Sequence, residues 1–434
     1  MAKRFSRWLR LDNSAKIFPL MANKNTQNLF CLTFRLYEEV NAAALNEALV
    51  KTVRRFPSFN VKLKTGVFWN YFEEHTGKPR VYEAKPVVMR RISSRNCNGF
   101  AFRISYFGKN IYGEFFHAVT DGAGAAEFMK SLLFTYFTML GKNVDGEQKI
   151  MTVNSPSNPD EYEDSFLTYY KKKKLSQLPI DSLKGQTAYK IAGAEFENAG
   201  NGEINVYAKA KDFVAVCKKY GCTVTEMIGA LFILSLYETK IKPRNLPSQN
   251  IQLFVPINLR RIFPSVTLRN FSLFSRIGVM TSDDMTVEGL TAHIHEKLVR
   301  DTRKDVLEDK ISTTVYAEKF LPLRLTPLFI KRFIFNISNL FFGKNKKTAT
   351  FSSVGILSLP ESFRPLVKDA NYAIAANDKS PITVTAVTVF DTICINFTRS
   401  ITDTETEKRF VKYLTDAGLD VSVSSNYWEV DNAL

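Results

Sequence analysis

One histidine in the chain stands in a setting that suits proton transfer. His117-Ala118-Val119-Thr120-Asp121-Gly122 combines an imidazole, a carboxylate four residues on and a glycine. Imidazole titrates near neutrality, so a positioned histidine can act as general base towards an alcohol or amine nucleophile. Gly122 is expected to let the chain turn sharply where a Cβ would clash. Asp121 is expected either to hold the loop or to orient the ring, and an i, i+4 gap across a loop does not say which. The pattern H-x-x-x-D-G fixes only three positions, so its weight depends on the company it keeps.

Other reactive side chains form no comparable group. His293 and His295 lie two apart in a stretch whose Ile294, Leu298 and Val299 predict a helix. Residues two apart on a helix face different ways, so no metal site is expected. Gly122-Ala123-Gly124 is too short to cradle a phosphate. The five cysteines, Cys31, Cys97, Cys217, Cys222 and Cys394, are scattered and odd in number. They fit neither a zinc site nor a disulfide framework, and read as reduced thiols of a cytoplasmic protein.

The elements around His117 would hold it rigidly. Strand-like runs at 100–107 and 111–116 lead up to it, broken at Gly108-Lys109-Asn110. After it the period becomes 3.6, with Ala125, Phe128, Met129, Leu132, Leu133 and Tyr136 on one helical face. His117 therefore sits where a strand ends and a loop enters a helix. Upstream, residues 41–56 predict an amphipathic helix capped by Asn41 and ended by Pro57, followed by strands at 60–64 and 67–72. Downstream, Thr223-x-x-Glu226 is a capping box for a helix burying Met227, Ala230, Leu231 and Leu234. Strands are expected at 251–257, 271–281, 382–390 and 392–398, and a helix at 404–417.

Strands and helices interleave in both halves, so the class is α/β. Residues 150–204 are the weakest stretch for regular structure and read as a crossover. Their acidic patch at 160–164 and basic run at 171–174 are expected to be solvated surface. With 434 residues and 45% apolar content the chain can build sizeable cores. A formal charge of +16 favours anionic partners without choosing among them. No zinc finger, RNA-recognition signature or continuous basic helix points to nucleic acid. No run approaches the length of a spanning helix. Residues 320–342 are rich in Leu, Ile and Phe but carry Arg324, Lys331 and Arg332. They read as a core-packed helix or as an interfacial segment meeting anionic lipid.

Several segments, in order, resemble the coenzyme A-dependent acyltransferase superfamily. That group includes chloramphenicol acetyltransferase, condensation domains of peptide synthetases and alcohol acetyltransferase-like proteins. LNEALVKTVRRFPSFNVKL at 45–63 is similar to the family's first helix and strand, and residues 116–122 to its H-x-x-x-D-G signature. VPINLR at 255–260, Arg269-Asn270-Phe271 and Ser352-Ser353-Val354-Gly355 resemble later family segments. Ser353 departs from the pattern, since family members commonly carry Asn there.

The resemblance implies two similar α/β lobes forming a pseudo-dimer around a central channel. Residues 1–150 would form the lobe carrying the signature, 151–204 the crossover and 205–434 the second lobe. It implies that His117 is the general base and that the acceptor attacks a thioester directly, without a covalent acyl-enzyme. Asp121 would be mainly structural, paired with Arg260, and Asn270 and Ser353 would line the channel or touch substrate. Acyl-coenzyme A would be the co-substrate, with no permanently bound cofactor and no metal, and a small alcohol or amine the acceptor. An acyl carrier protein acting in trans is the alternative donor, and a non-catalytic module of the same fold the alternative function.

Overall fold

A computed structural model of the chain describes residues 8–22, 28–84, 89, 92, 97–146, 150–173, 186–196, 200–341 and 346–426, with backbone only for 335–341. Its strands form three sheets. A small antiparallel sheet has β1 (Trp8–Arg10) and β3 (Val61–Thr65) on either side of β4 (Asn70–Glu74). A five-stranded sheet runs in the order β12 (Val367–Ile374), β2 (Leu29–Leu36), β7 (Asn110–Phe116), β6 (Phe102–Phe107), β5 (Val81–Glu83). A seven-stranded sheet follows β10 (Ser272–Met280), β9 (Asn250–Asn258), β11 (Ala349–Ile356), β13 (Ile382–Val389), β14 (Thr392–Arg399), β8 (Gly202–Lys209) and β15 (Val421–Ser425).

Most periodic segments fold as their patterns predict, but of the strand expected at 67–72 residues 67–69 form a turn and the strand begins at Asn70. The first long helix is Ala42–Arg55, and Asn41 Oδ1 accepts from Ala44 N at 3.0 Å. The helix after His117 is Gly122–Met139. The capping box closes both ways: Thr223 N donates to Glu226 Oε2 at 2.7 Å and Glu226 N to Thr223 Oγ1 at 3.3 Å. Each large sheet has its own core. Phe30, Phe59, Phe115 and Phe128 pack in the first, and Ile228, Phe232, Val384 and Phe397 in the second.

Seven strands lie where the sequence patterns predict none, β1, β2, β5, β8, β11, β12 and β15, and two of them, β2 and β12, bear on the site. β2 (LFCLTFRL) is buried at every position but Arg35, a continuous run rather than an alternation, because both its faces are covered. β12 comes from late in the chain yet pairs antiparallel with β2, so the first sheet is completed by the second half. The acidic patch at 160–164 also differs from expectation. Glu161 turns inward and accepts from Arg55 Nη1 and Nη2, both at 2.8 Å, with both side chains buried. Two buried charges persist together because each supplies what the other lost on leaving water. The crossover is thereby fastened to the first helix. Lys171 and Lys173 do lie at the surface, paired with Glu308 and Asp309.

A buried polar seam runs where β12 meets the second sheet. Glu203 is buried there; desolvation, reinforced by Glu114, pushes its carboxyl up to about 7 against hydrogen bonds from Asn205 and Asn371. A carboxyl raised in the folded state adds stability in full below its unfolded value of 4.5 and loses it as pH rises through about 7. Glu203→Gln should therefore stabilise the protein by roughly 2–3 kcal/mol at about pH 8 and have little effect near pH 4.5. Urea unfolding of both proteins at the two pH values checks this. Equal midpoints at the higher pH would contradict it. Among the described residues, no single helix is long and apolar enough to cross a membrane.

Candidate active site

His117 is delivered by the end of β7 and pinned before the loop begins. Its backbone N donates to Asn28 O at 3.0 Å, at the entry to β2. The imidazole stacks on Phe18, with ring centroids 4.3 Å apart, and meets the edge of Phe30. Its Nδ1 lies 2.8 Å from Asn270 Oδ1. Asn270 comes from just before β10, so the two halves of the chain meet at the ring.

That contact decides the tautomer. Asn270 Nδ2 donates to Asp12 Oδ2 at 3.2 Å, and Asn270 N approaches the same oxygen at 3.4 Å. The amide is oriented by this carboxylate, because a flipped amide would set its oxygen against a second acceptor. Oδ1 must then receive a proton from His117, which places the ring proton on Nδ1. In the neutral ring the lone pair then lies on Nε2, which makes no hydrogen bond among the described residues. Asp12 is itself fully buried, with Oδ1 accepting from Ala15 N at 2.7 Å and Arg269 Nε 3.6 Å from Oδ2. The result is a chain from Asp12 through Asn270 to the imidazole.

Asp121 does different work. It caps the helix Gly122–Met139, with Oδ1 accepting from Gly124 N at 3.1 Å. Its Oδ2 accepts from Arg260 Nη1 at 2.7 Å and from Phe271 N at 2.9 Å. Arg260 in turn donates to Thr267 O at 3.0 and 2.9 Å and to Arg269 O. One carboxylate thus holds the start of the helix and the 267–271 segment that carries Asn270. It makes no hydrogen bond to His117, so the choice left open by the i, i+4 spacing falls on the loop.

The steric demand falls on Gly124 rather than on Gly122. A Cβ on Gly122 would find its nearest neighbour, Tyr372 Oη, at 3.6 Å, an ordinary contact, and no positive φ is required there. A Cβ on Gly124 would stand 2.0 Å from Leu268 O and 2.3 Å from Thr120 Oγ1. Thr120 Oγ1 donates to that same carbonyl at 2.6 Å, which draws the backbones together. Gly124→Ala should cost roughly 3 kcal/mol or more in denaturant unfolding, and Gly122→Ala less than about 1 kcal/mol. Equal costs would show that the 267–271 segment can retreat.

Ser353 is half-buried on β11 beside a register shift, and no hydrogen bond joins it to the Asp12–Asn270–His117 chain. Its neighbour Ser352 instead meets Tyr372, which packs edge-on against Phe30. His293 and His295 part company as their spacing requires: Nε2 of the first contacts Gly278 O, and Nδ1 of the second contacts Glu226 Oε1. No group of three or more His, Cys, Asp or Glu able to hold a metal occurs among the described residues.

Asp12 and Arg269 carry weight that their sequence context did not announce. Asp12-Asn13-Ser14 reads locally as a turn, and one carboxylate oxygen does cap that turn. The other oxygen serves a partner 258 positions away. Arg269 Nη1 and Nη2 donate to Tyr162 O and Arg10 O, which ties the crossover and the N-terminal strand to the same point.

The architecture, with a histidine and its amide partner drawn from two halves, is the two-lobed chloramphenicol acetyltransferase-like acyltransferase fold that the sequence resembles. Residues 110–277, from β7 into β10, match the family described as alcohol acetyltransferase. Trichothecene 15-O-acetyltransferase TRI3 from Fusarium sporotrichioides shares the fold at 11% identity and a TM-score of 0.60, covering 96% of each chain. TRI101 from F. sporotrichioides, complexed with coenzyme A and T-2, aligns at 10% identity and a TM-score of 0.59, over 95% of this chain and 99% of that one. A mutant of the starter condensation domain of rhizomide synthetase RzmA, in complex with C8-CoA, aligns at 10% identity and a TM-score of 0.59, over 95% of both chains. Among curated proteins, none matches in sequence.

Proposed function

We propose that this chain transfers an acyl group from an acyl-coenzyme A to a small alcohol, with an amine as the second acceptor class. The observation that carries the reading is the Asp12–Asn270–His117 chain, which leaves Nε2 as the ring's basic nitrogen. In the step proposed, Nε2 takes the hydroxyl proton as the acceptor oxygen attacks the thioester carbonyl carbon. The tetrahedral intermediate collapses, the carbon–sulfur bond breaks, and the departing thiolate recovers the proton from the imidazolium. No acyl-enzyme forms. Asp121 and Arg260 hold the loop, and Gly124 lets it close on Leu268. The division into lobes 1–150 and 205–434 around the crossover 151–204 belongs to the same proposal, with β12 reaching from the second lobe into the first sheet.

The acyl-coenzyme A donor is supported by the coenzyme A complexes of TRI101 and RzmA, and the alcohol acceptor by the matching family. The excess of basic charge suits a phosphate-bearing donor. A panel of acyl-coenzyme A donors with alcohols and amines, followed by thiol release and product mass spectrometry, tests it. Turnover only with an acylated carrier protein would replace the donor. No turnover and no thermal stabilisation by either would leave a binding module.

A further inference from the structure

Residues 320–334 take no part in the proposed chemistry, and they are not packed into the core. Phe329, Phe333, Leu325 and Leu321 are 72%, 66%, 61% and 60% exposed, and Phe320 and Ile334 are exposed as well. The core-packed alternative for 320–342 therefore fails over its described side chains; residue 342 lies outside the described residues. Large apolar groups scattered singly over a surface need no explanation, but a contiguous set does.

The set is held in place from behind. A short helix, Leu321–Leu325, is followed after Pro327 by the helix Leu328–Phe341. Leu328 is buried and its N donates to Val67 O at 2.7 Å. Lys331 turns inward, donating to Phe68 O at 2.8 Å with its ammonium 3.5 Å from the Trp69 ring centroid. The segment is thus anchored to the turn between β3 and β4, where Val67 is 70% exposed and continues the apolar surface. A groove of about 980 Å3 begins here, lined by Leu321 and Leu325 together with Trp8, Phe68 and Trp69, and its two acids, Glu73 and Glu318, are already paired with Lys64 and Lys16.

Charge selects the occupant. From Lys319 to Pro360 the sequence contains seven Lys and Arg and not one Asp or Glu. Lys319, Arg324 and Arg332 are exposed among the apolar side chains. A symmetric contact with a second copy would set these cations against cations, with no acid in the stretch to answer them. Apolar rings that enter the acyl boundary, rimmed by cations that meet headgroup phosphates, fit a bilayer surface instead. We propose that residues 320–334, with the β3–β4 turn, dock the protein peripherally on an anionic membrane. The groove then lies at the membrane surface.

The test is sedimentation of the whole chain with phosphatidylcholine vesicles and with vesicles containing about one third phosphatidylserine. Wild type should pellet with the anionic vesicles and much less with the neutral ones, and salt should weaken the binding. F329E/F333E and R324E/R332E should each weaken it at least about tenfold, with unchanged melting curves because all four side chains are exposed. Binding by both variants equal to wild type would overturn the proposal. So would failure of wild type to bind, or a solution dimer that F329E/F333E dissolves in the absence of vesicle binding.

Discussion

His117→Ala is expected to lower kcat/KM for acyl transfer by roughly 10²- to 10⁴-fold, the range that a positioned general base contributes. The side chain is only half-buried, and its partners are rings and one amide, so the fold should survive. Melting temperature and far-UV circular dichroism should stay close to wild type while turnover collapses. That separation makes the result informative, because a folded but inactive protein isolates chemistry from stability. Equal turnover by wild type and variant would remove His117 from the mechanism, and with it the role given to Asn270 and Asp12. The effect on kcat should carry most of the loss, since the proton moves only as the acceptor attacks.

Asp121→Ala should show the opposite balance, with stability failing first. The side chain is 7% exposed and receives three hydrogen bonds, from Gly124 N, Phe271 N and Arg260 Nη1. Its loss leaves the Arg260 guanidinium uncompensated, and breaking one partner of a buried pair costs about 3–5 kcal/mol. Urea unfolding should therefore show a large fall in midpoint, accompanied by reduced activity as the 267–271 segment loosens its hold on Asn270. Arg260→Ala should lose less, because Asp121 would retain two backbone donors. The double variant should cost less than the sum of the two singles, since both remove one interaction. Additive losses would mean that Asp121 and Arg260 act independently of each other.

Much of this arrangement was visible in the order of the residues. Local signals were sufficient where the physics is local: Asn41 caps its helix, Thr223 and Glu226 close their box, and the run ending at Phe116 is a strand that delivers His117. Arg260 was reachable through VPINLR, a segment whose resemblance named it as the partner of Asp121. Signals of that kind fail when a residue's environment is assembled from distant chain. β2 shows no alternation because neither face meets water, and β12 joins its sheet from hundreds of residues away. Glu161 looked like solvated surface because the buried Arg55 that neutralises it lies 106 positions earlier.

The amino-acid sequence by itself determined the elements marked by caps and periods, the candidate base and a resemblance whose fold the structure shares, because caps, periods and ordered motifs act within short stretches of chain. The tertiary structure decided which oxygen faces which nitrogen. It placed Asp12 behind Asn270, and Asn270 on Nδ1, across separations that no spacing rule spans. It moved the steric requirement from Gly122 to Gly124, since only the approach of Leu268 O makes a Cβ intolerable there. It also turned the apolar face of 320–334 outward, because the inward positions were already taken by Leu328 and Lys331.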